Sequence, residues 1–438
     1  MEWATGLGVV GGSFVLLLAL GVPVAFTFLF ILLAGSIALM GDPIGPYQAV
    51  QNLFGSIGSF ALAPIPLFVL MGEVLLHSGL AANSLDAINR LIGKVPARLS
   101  LVSILAGAIF GMLTGSTMAS TAILGTVLVP EMISKGYHRK LIFGPIIASG
   151  SLAMIIPPSS LSIVYGTVAQ IPVGPLLIAG LLPGFLIAFN YSINIWIRVK
   201  LDPSLAPATE NISYSRKEKM KIFIIDLLPL AAIIFLVTGI FVIGVGTPTE
   251  AAGLGAMGTI VVATCYKRMS WQIIFKSLRG TVKVTSMTLL IIGGSIIFSS
   301  LLSYSGITRT VVEFAIGLDV SKYMLLAIMA LIVLVLGTIM ESVPIIMVTV
   351  PMFVPIAASL GFDQIWFAMI MLLCIQVGLA TPPFGLLLFV MQGVAPKGTT
   401  FKELYMAVIP FLISDLFTIF IIILFPIIVT FLPNLVMK

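Results

Sequence analysis

The sequence predicts an all-α polytopic membrane protein made of two inverted-topology repeats, each with a re-entrant helical hairpin and a broken transmembrane helix. Three observations predict it. The 438 residues are 59% hydrophobic and only 9% charged, a balance that soluble domains do not show. Prolines recur at matched places in the two halves. Of the 22 Lys and Arg residues, nineteen fall on one side of a single threading of the chain, which is the positive-inside pattern. The net charge of +6 follows from those short basic loops, so nucleic acid is excluded as a partner and a lipid bilayer is the expected surrounding.

Apolar segments fall at 6–20, 22–40, 60–78, 98–112, 117–133, 141–170 and 175–197, then a polar linker at 201–221. A second series follows at 222–245, 250–266, 284–303, 323–336, 343–360, 364–395 and 404–431. A shift of 225 residues carries Pro23, Pro130, Pro157 and Pro158 onto Pro248, Pro355, Pro382 and Pro383. We therefore expect a first repeat over 1–200, a cytoplasmic linker over 201–221 and a second repeat over 222–438. In the first, scaffold helices lie within 6–78, the hairpin at 98–133, the broken helix at 141–170 and a last helix at 175–197. In the second, the corresponding ranges are 222–303, 323–360, 364–395 and 404–431.

The paired segments 98–112 with 117–133, and 323–336 with 343–360, are short for a crossing of roughly 20 residues, so each pair reads as a hairpin that enters and leaves on one side. Five remaining crossings per repeat is an odd number, which inverts the second repeat. With the N-terminus outside, only Arg309, Lys322 and Lys438 fall outside, and both termini come out periplasmic. The absence of a basic segment before the first apolar run makes that run a retained helix, not a cleaved leader. Two amphipathic stretches, 45–58 and 270–283, are expected in the interface plane as arms.

The stretch Gly144 to Pro172 holds the first break. Pro157-Pro158 interrupts an apolar run, and two prolines in succession end a helix. In lipid each freed backbone group costs several kcal/mol unless it is paired, so a break at bilayer depth lasts only beside protein or a watery cavity. Such breaks are where transporters hold ions and substrate. Thr381-Pro382-Pro383 repeats the object. The first hairpin turns at Gly111-Met112-Leu113-Thr114-Gly115-Ser116-Thr117-Met118-Ala119-Ser120 and the second at Gly337-Thr338-Ile339-Met340-Glu341-Ser342. Hydroxyls and carbonyls there form cages of neutral oxygen, which suit sodium. One candidate sodium site uses Gly115, Ser116, Thr117, Ile156 and Ser159; the other uses Gly337, Thr338, Ser342, Ala380 and Thr381. The same small residues also serve close helix packing. Candidate substrate contacts are Thr114, Ser120, Ser160, Glu341, Phe384 and Gly385.

Glu341 stands out as an ionisable residue inside the membrane. Glu73 and Glu250 fall near helix ends, Glu250 beside a Thr cap, and Asp226 and Asp415 are expected at the interface. Cys265 and Cys374 read as structural thiols. No phosphate-binding loop or Cys/His metal spacing occurs, so the sequence offers neither an ATPase nor a transition-metal centre, and no cofactor beyond a coupling ion is expected.

The segments GVPVAF, GSTMASTAILG, GPIIASGSLAMIIPPSSLSIVYG, GTPTEAAG, LGTIMESVPIIMVTVPMFVPIA and GLATPPFGLLLFV resemble the large membrane subunit of the tripartite ATP-independent periplasmic (TRAP) transporters, of the dicarboxylate-transporter type. The resemblance spans nearly the whole chain. It implies an elevator-type ion-transporter fold in a bacterial inner membrane, and sodium-driven import of a small organic anion, commonly a carboxylate. It also implies a periplasmic substrate-binding protein and a small four-helix membrane subunit, here expected as a separate chain. The family usually carries Asp where Ser120 stands and often Asp where Glu341 stands. No basic residue for the anion is evident near the first break, so backbone N–H groups near Ser160 and Phe384 are the expected substitutes. Other readings are a self-sufficient sodium/anion symporter, a membrane enzyme using Glu341, and a plain scaffold or channel. The lack of a second catalytic group beside Glu341 weighs against an enzyme.

Overall fold

A computed structural model describes residues 12–13, 16–17, 20–40, 44–93, 95–207 and 215–436. These are helical throughout, with no strand among the described residues. The expected first helix over 6–20 and both chain ends lie largely outside them. The first repeat runs Val24–Met40, Ile44–Ile57, Pro64–Ser78 and Leu80–Leu91, then the hairpin legs Arg98–Thr114 and Thr117–Ser134. The broken helix follows as Arg139–Ser151, a 3-10 turn at Leu152–Met154, and Ser160–Ala169; Val173–Ala179 and Leu181–Leu201 close the repeat. The second repeat opens at Arg216–Ile222, which passes through a π turn at Phe223–Leu227 into Leu228–Ile243, so the linker is shorter than expected. Pro248–Cys265, Trp271–Tyr304 and Ile307–Gly317 precede the hairpin legs Lys322–Ile339 and Ser342–Ser359. Gln364–Ala380 and Leu386–Val394 form the second broken helix, followed by Phe401–Leu424 and Ile427–Val436.

Local chemistry explains the boundaries. Ser116 accepts from the Ala119 N–H at 3.3 Å and so starts the second leg of the first hairpin. Ser159 does the same for Ser162 at 3.1 Å. Thr247 and Glu250 make a reciprocal capping box, as the sequence reading of Glu250 anticipated. Each hairpin leg has 17 or 18 residues, about 26 Å at 1.5 Å per residue, against a hydrocarbon core of about 30 Å.

The repeats differ at the arms. Ile44–Ile57 is a separate helix, but its expected counterpart at 270–283 is continuous with the next crossing in the 34-residue Trp271–Tyr304. Pro64 and Pro66 enforce the break in the first copy, where the second has Leu289 and Ile291. The segments Leu80–Leu91 and Ile307–Gly317, unassigned from sequence, are short helices leading into each hairpin. Each begins after a glycine held in the left-handed region, Gly79 (φ 72°) and Gly306 (φ 74°).

Backbone-to-backbone packing joins hairpin to broken helix. A Cβ on Gly111 would lie 2.6 Å from Ala153 Cα, and one on Gly337 would lie 2.7 Å from Gly378 Cα. Only glycine permits that approach. Gly337→Ala should therefore cost about 1–3 kcal/mol through overpacking and lower the thermal midpoint in detergent. Gly253→Ala, where a Cβ meets nothing within 4 Å, should leave the midpoint unchanged or raise it. Thermal unfolding of the two variants side by side checks this.

Candidate functional site

The first break is sealed from solvent. Ser149 through Ser159 are all buried, and Pro157-Pro158 is a cis bond. Its backbone groups find partners at once: the Ser159 hydroxyl donates to the Met154 carbonyl at 2.5 Å, and the Ile156 N–H to Leu152 at 3.0 Å. Gly180 and Gly184 lie close below it, since a Cβ on either would strike the Ile155 carbonyl (2.1 Å) or the Ile156 side chain (2.4 Å). Ser160 donates to the Gly115 carbonyl at 2.6 Å, which ties the first hairpin tip to the start of the second half-helix. Within that tip, Thr114 Oγ1 donates to the Phe110 carbonyl at 2.7 Å and lies 2.9 Å from Ser120 Oγ.

The second break also has a cis bond, Pro382-Pro383, but Pro383 and Phe384 are exposed. The Thr381 hydroxyl donates to Val377 at 2.6 Å, and its carbonyl accepts from the Gly385 N–H at 3.0 Å. Tyr405 reaches across to donate to the Pro383 carbonyl at 2.8 Å. Gly337 and the buried Ala380 flank the same corner of the fold through the Gly337–Gly378 contact. Thr338 points its hydroxyl back to Val335 at 2.8 Å.

A cavity of about 230 Å³ lies where both hairpin tips meet the scaffold. Thr114, Gly115, Ser116 and Thr117 line it from the first tip, Glu341 and Ser342 from the second, and Ser160 from the broken helix. Glu73 and Gly72 of Pro64–Ser78, with Val284 and Thr288 of Trp271–Tyr304, close the scaffold side. The cavity thus takes Gly115, Ser116 and Thr117 from the first candidate sodium site, Ser342 alone from the second, and the substrate candidates Thr114, Ser160 and Glu341; Ile156, Ser159, Gly337, Thr338, Ala380 and Thr381 lie outside its lining. Ser120 is buried behind the tip, and Phe384 and Gly385 lie outside the cavity lining. Glu341 is the N-cap of Ser342–Ser359 yet makes no capping bond, so its carboxylate is left for the cavity.

Sequence reasoning passed over Glu73, reading it as a helix-end residue. Its carboxylate lies against the backbone of Gly280, where a Cβ would come within 2.3 Å of Oε2, and 3.3 Å from His77 Nδ1. The signal was an acid inside an apolar helix. Asp415 needs correction. It is not interfacial but 3% exposed, in the middle of Phe401–Leu424, where Tyr191 donates to it at 2.6 Å. A long apolar run hid its depth, because its partner is on another helix far away in sequence.

The cavity is lined by hydroxyls, backbone and two carboxylates, with no Lys, Arg or His among its lining residues. Such a lining can hold cations and hydrogen-bonding solutes; it has no basic side chain to neutralise an anion. The residues 12–428 match the family model described as tripartite ATP-independent periplasmic transporter, DctM component. The chain is similar to the C4-dicarboxylate TRAP transporter large permease protein DctM of Rhodobacter capsulatus, 28% identical over 448 residues that cover 98% of each chain. It is also similar to the protein of the same description from Pseudomonas aeruginosa, 32% identical over 402 residues and 90% of each chain. Among solved structures it is similar to the YdaH transporter of Alcanivorax borkumensis, with a TM-score of 0.69 over 93% of this chain and 99% of that one; at 14% identity the likeness is one of fold. Matched along nearly its whole length by the family model and by these permeases, the chain belongs to the DctM component family, the large membrane subunits of TRAP transporters.

Proposed function

We propose that this subunit imports a small organic anion, a carboxylate such as a C4-dicarboxylate, by sodium-coupled, elevator-type alternating access in the bacterial inner membrane. A periplasmic binding protein delivers the anion, and a small four-helix membrane subunit, carried on a separate chain, completes the scaffold. The observation that carries the reading is the cavity itself: two hairpin tips and one helix break meet there, facing two scaffold helices.

The charges in the cavity set the order of events. Glu73 and Glu341 repel an anion in a site with no basic group among its lining residues. Sodium held by Gly115, Ser116, Thr117, Ile156 and Ser159, and by Gly337, Thr338, Ser342, Ala380 and Thr381, offsets that repulsion. Opposite charges a few ångströms apart outside bulk water attract by several kcal/mol. The N–H groups at the start of Ser160–Ala169 then face a carboxylate. Anion without sodium is repelled by both carboxylates, and two bound sodium ions cancel that charge, so the anion enters only the sodium-loaded site. Rigid displacement of hairpins and broken helices past Pro64–Ser78 and Trp271–Tyr304 carries both across.

Two outcomes follow for the complex reconstituted in liposomes with its binding protein. Ser160→Ala removes the bond that ties the break to Gly115, worth about 0.5–1.5 kcal/mol. It should raise the half-saturating sodium concentration up to about ten-fold, with a smaller effect on substrate affinity at saturating sodium. Glu341→Gln keeps the shape and removes one negative charge, so it should weaken sodium dependence while anion affinity at low sodium improves. Radiolabelled uptake against sodium concentration measures both. Uptake that is indifferent to sodium in the wild-type complex would sink the coupling, and uptake without the binding protein would sink the tripartite reading.

A further inference from the structure

Away from the cavity, four polar side chains meet in the dry interior between the repeats. Tyr191, on Leu181–Leu201, donates to Asp415 Oδ1 at 2.6 Å. Gln376, on the second broken helix, reaches the same carboxylate oxygen at 3.4 Å and the Tyr191 hydroxyl at 3.5 Å. Ser151, at the end of Arg139–Ser151, is buried beside the same phenol. Gln376, Ser151 and Tyr191 are 0 to 1% exposed. Ser151 and Gln376 are also equivalent under the 225-residue shift. The cluster therefore sits where the two repeats face each other, a short way along each broken helix from its break.

The donors and acceptors there do not balance. The Gln376 Oε1 is buried and has no hydrogen-bond partner. Its amide nitrogen stands beyond the usual 2.9–3.0 Å from both acceptors. The Ser151 hydroxyl donates to the Ala148 carbonyl at 2.7 Å, which leaves its lone pairs for the cluster. Among the described residues no ion pair joins a basic side chain to Asp415, whose partners are Tyr191 and Gln376. An unpaired carboxylate in the bilayer interior is costly and calls for a compensating charge. A proton would satisfy one acceptor, but the cluster has several oxygen lone pairs in excess. One carboxylate and neutral oxygens match a hard, singly charged ion.

We propose that Asp415, Gln376, Tyr191 and Ser151 form a further sodium site, separate from the hairpin tips and shared by both repeats. The inference rests on the sodium coupling proposed above. It gives that coupling a structural link: an ion held between the two broken helices fixes them against each other while the tips load.

The test is a sodium titration of the purified transporter complex, read both as sodium-dependent thermal stabilisation and as the Hill coefficient of uptake. The variants are Asp415→Asn, which is isosteric, and Gln376→Leu in case the first does not fold. Each should lower the Hill coefficient by about one and weaken sodium stabilisation about ten-fold or more, while the midpoint in sodium-free buffer stays near wild type or rises. Rescue of ion dependence by Asp415→Glu supports the assignment further. If both variants lose stability in sodium-free buffer and keep the wild-type sodium response, the cluster is a structural tie and the inference fails. If Asp415→Asn abolishes a pH dependence but not the sodium titration, the cluster takes a proton and the inference fails. A wild-type complex with no sodium response overturns the coupling itself, a result distinct from either.

Discussion

The structure depends on one constraint: a helix broken at bilayer depth must have its freed backbone groups paired by protein. Everything near the two breaks answers that demand. Ser159 caps the second half-helix and also donates to Met154. Ser160 uses its hydroxyl on the neighbouring hairpin tip, and Tyr405 covers the Pro383 carbonyl from a different helix. The glycines follow from the same need, because hairpin backbone must come within contact of broken-helix backbone at Gly111 and Gly337 to exclude lipid.

That packing creates the cavity. Two hairpins brought to the breaks bring their tips together, and the first tip ends in Gly115 and Ser116 because capping calls for them. The oxygen-rich lining is thus a by-product of ending helices in lipid, turned to use. The two repeats are alike in their order of elements but not in their surroundings. The first break is buried, whereas Pro383 and Phe384 of the second are exposed. The cavity takes its broken-helix contribution from the first repeat through Ser160, and its two carboxylates one from each half, Glu73 and Glu341. An anion-handling site with two carboxylates and no base among its lining residues makes sense only with cations present, which is the physical content of the proposed coupling.

Much of this was legible in the sequence, and the reasons are specific. Pro157-Pro158 and Pro382-Pro383 mark the breaks because no other residue pair ends an apolar helix so firmly. The hairpins were legible because their legs are short and their turns carry Gly-Ser-Thr or Met-Glu-Ser. Leu80–Leu91 and Ile307–Gly317 were not, because each carries charges on one face, such as Asp86 with Arg90 and Arg309 with Glu313, and so reads as a loop. The fused Trp271–Tyr304 was legible in principle: the prolines that separate arm from crossing in the first copy are missing in the second. Asp415 was misplaced, and the place of Glu73 in the cavity wall was missed, because depth is a tertiary property. A carboxylate in an apolar run declares its position only when Tyr191 or Gly280 is known to lie beside it.

In the proposed mechanism both hairpin tips and the first break enclose one shared site for ions and substrate. The most direct measurement is thiol labelling of a single cysteine at Val343, which lines the cavity beside Glu341 and Ser342, after Cys265 and Cys374 are replaced by serine or alanine. Labelling in the complex is expected to slow when sodium and substrate are supplied together, and far less with either alone. Labelling that is unchanged under all conditions would contradict a shared site at the hairpin tips.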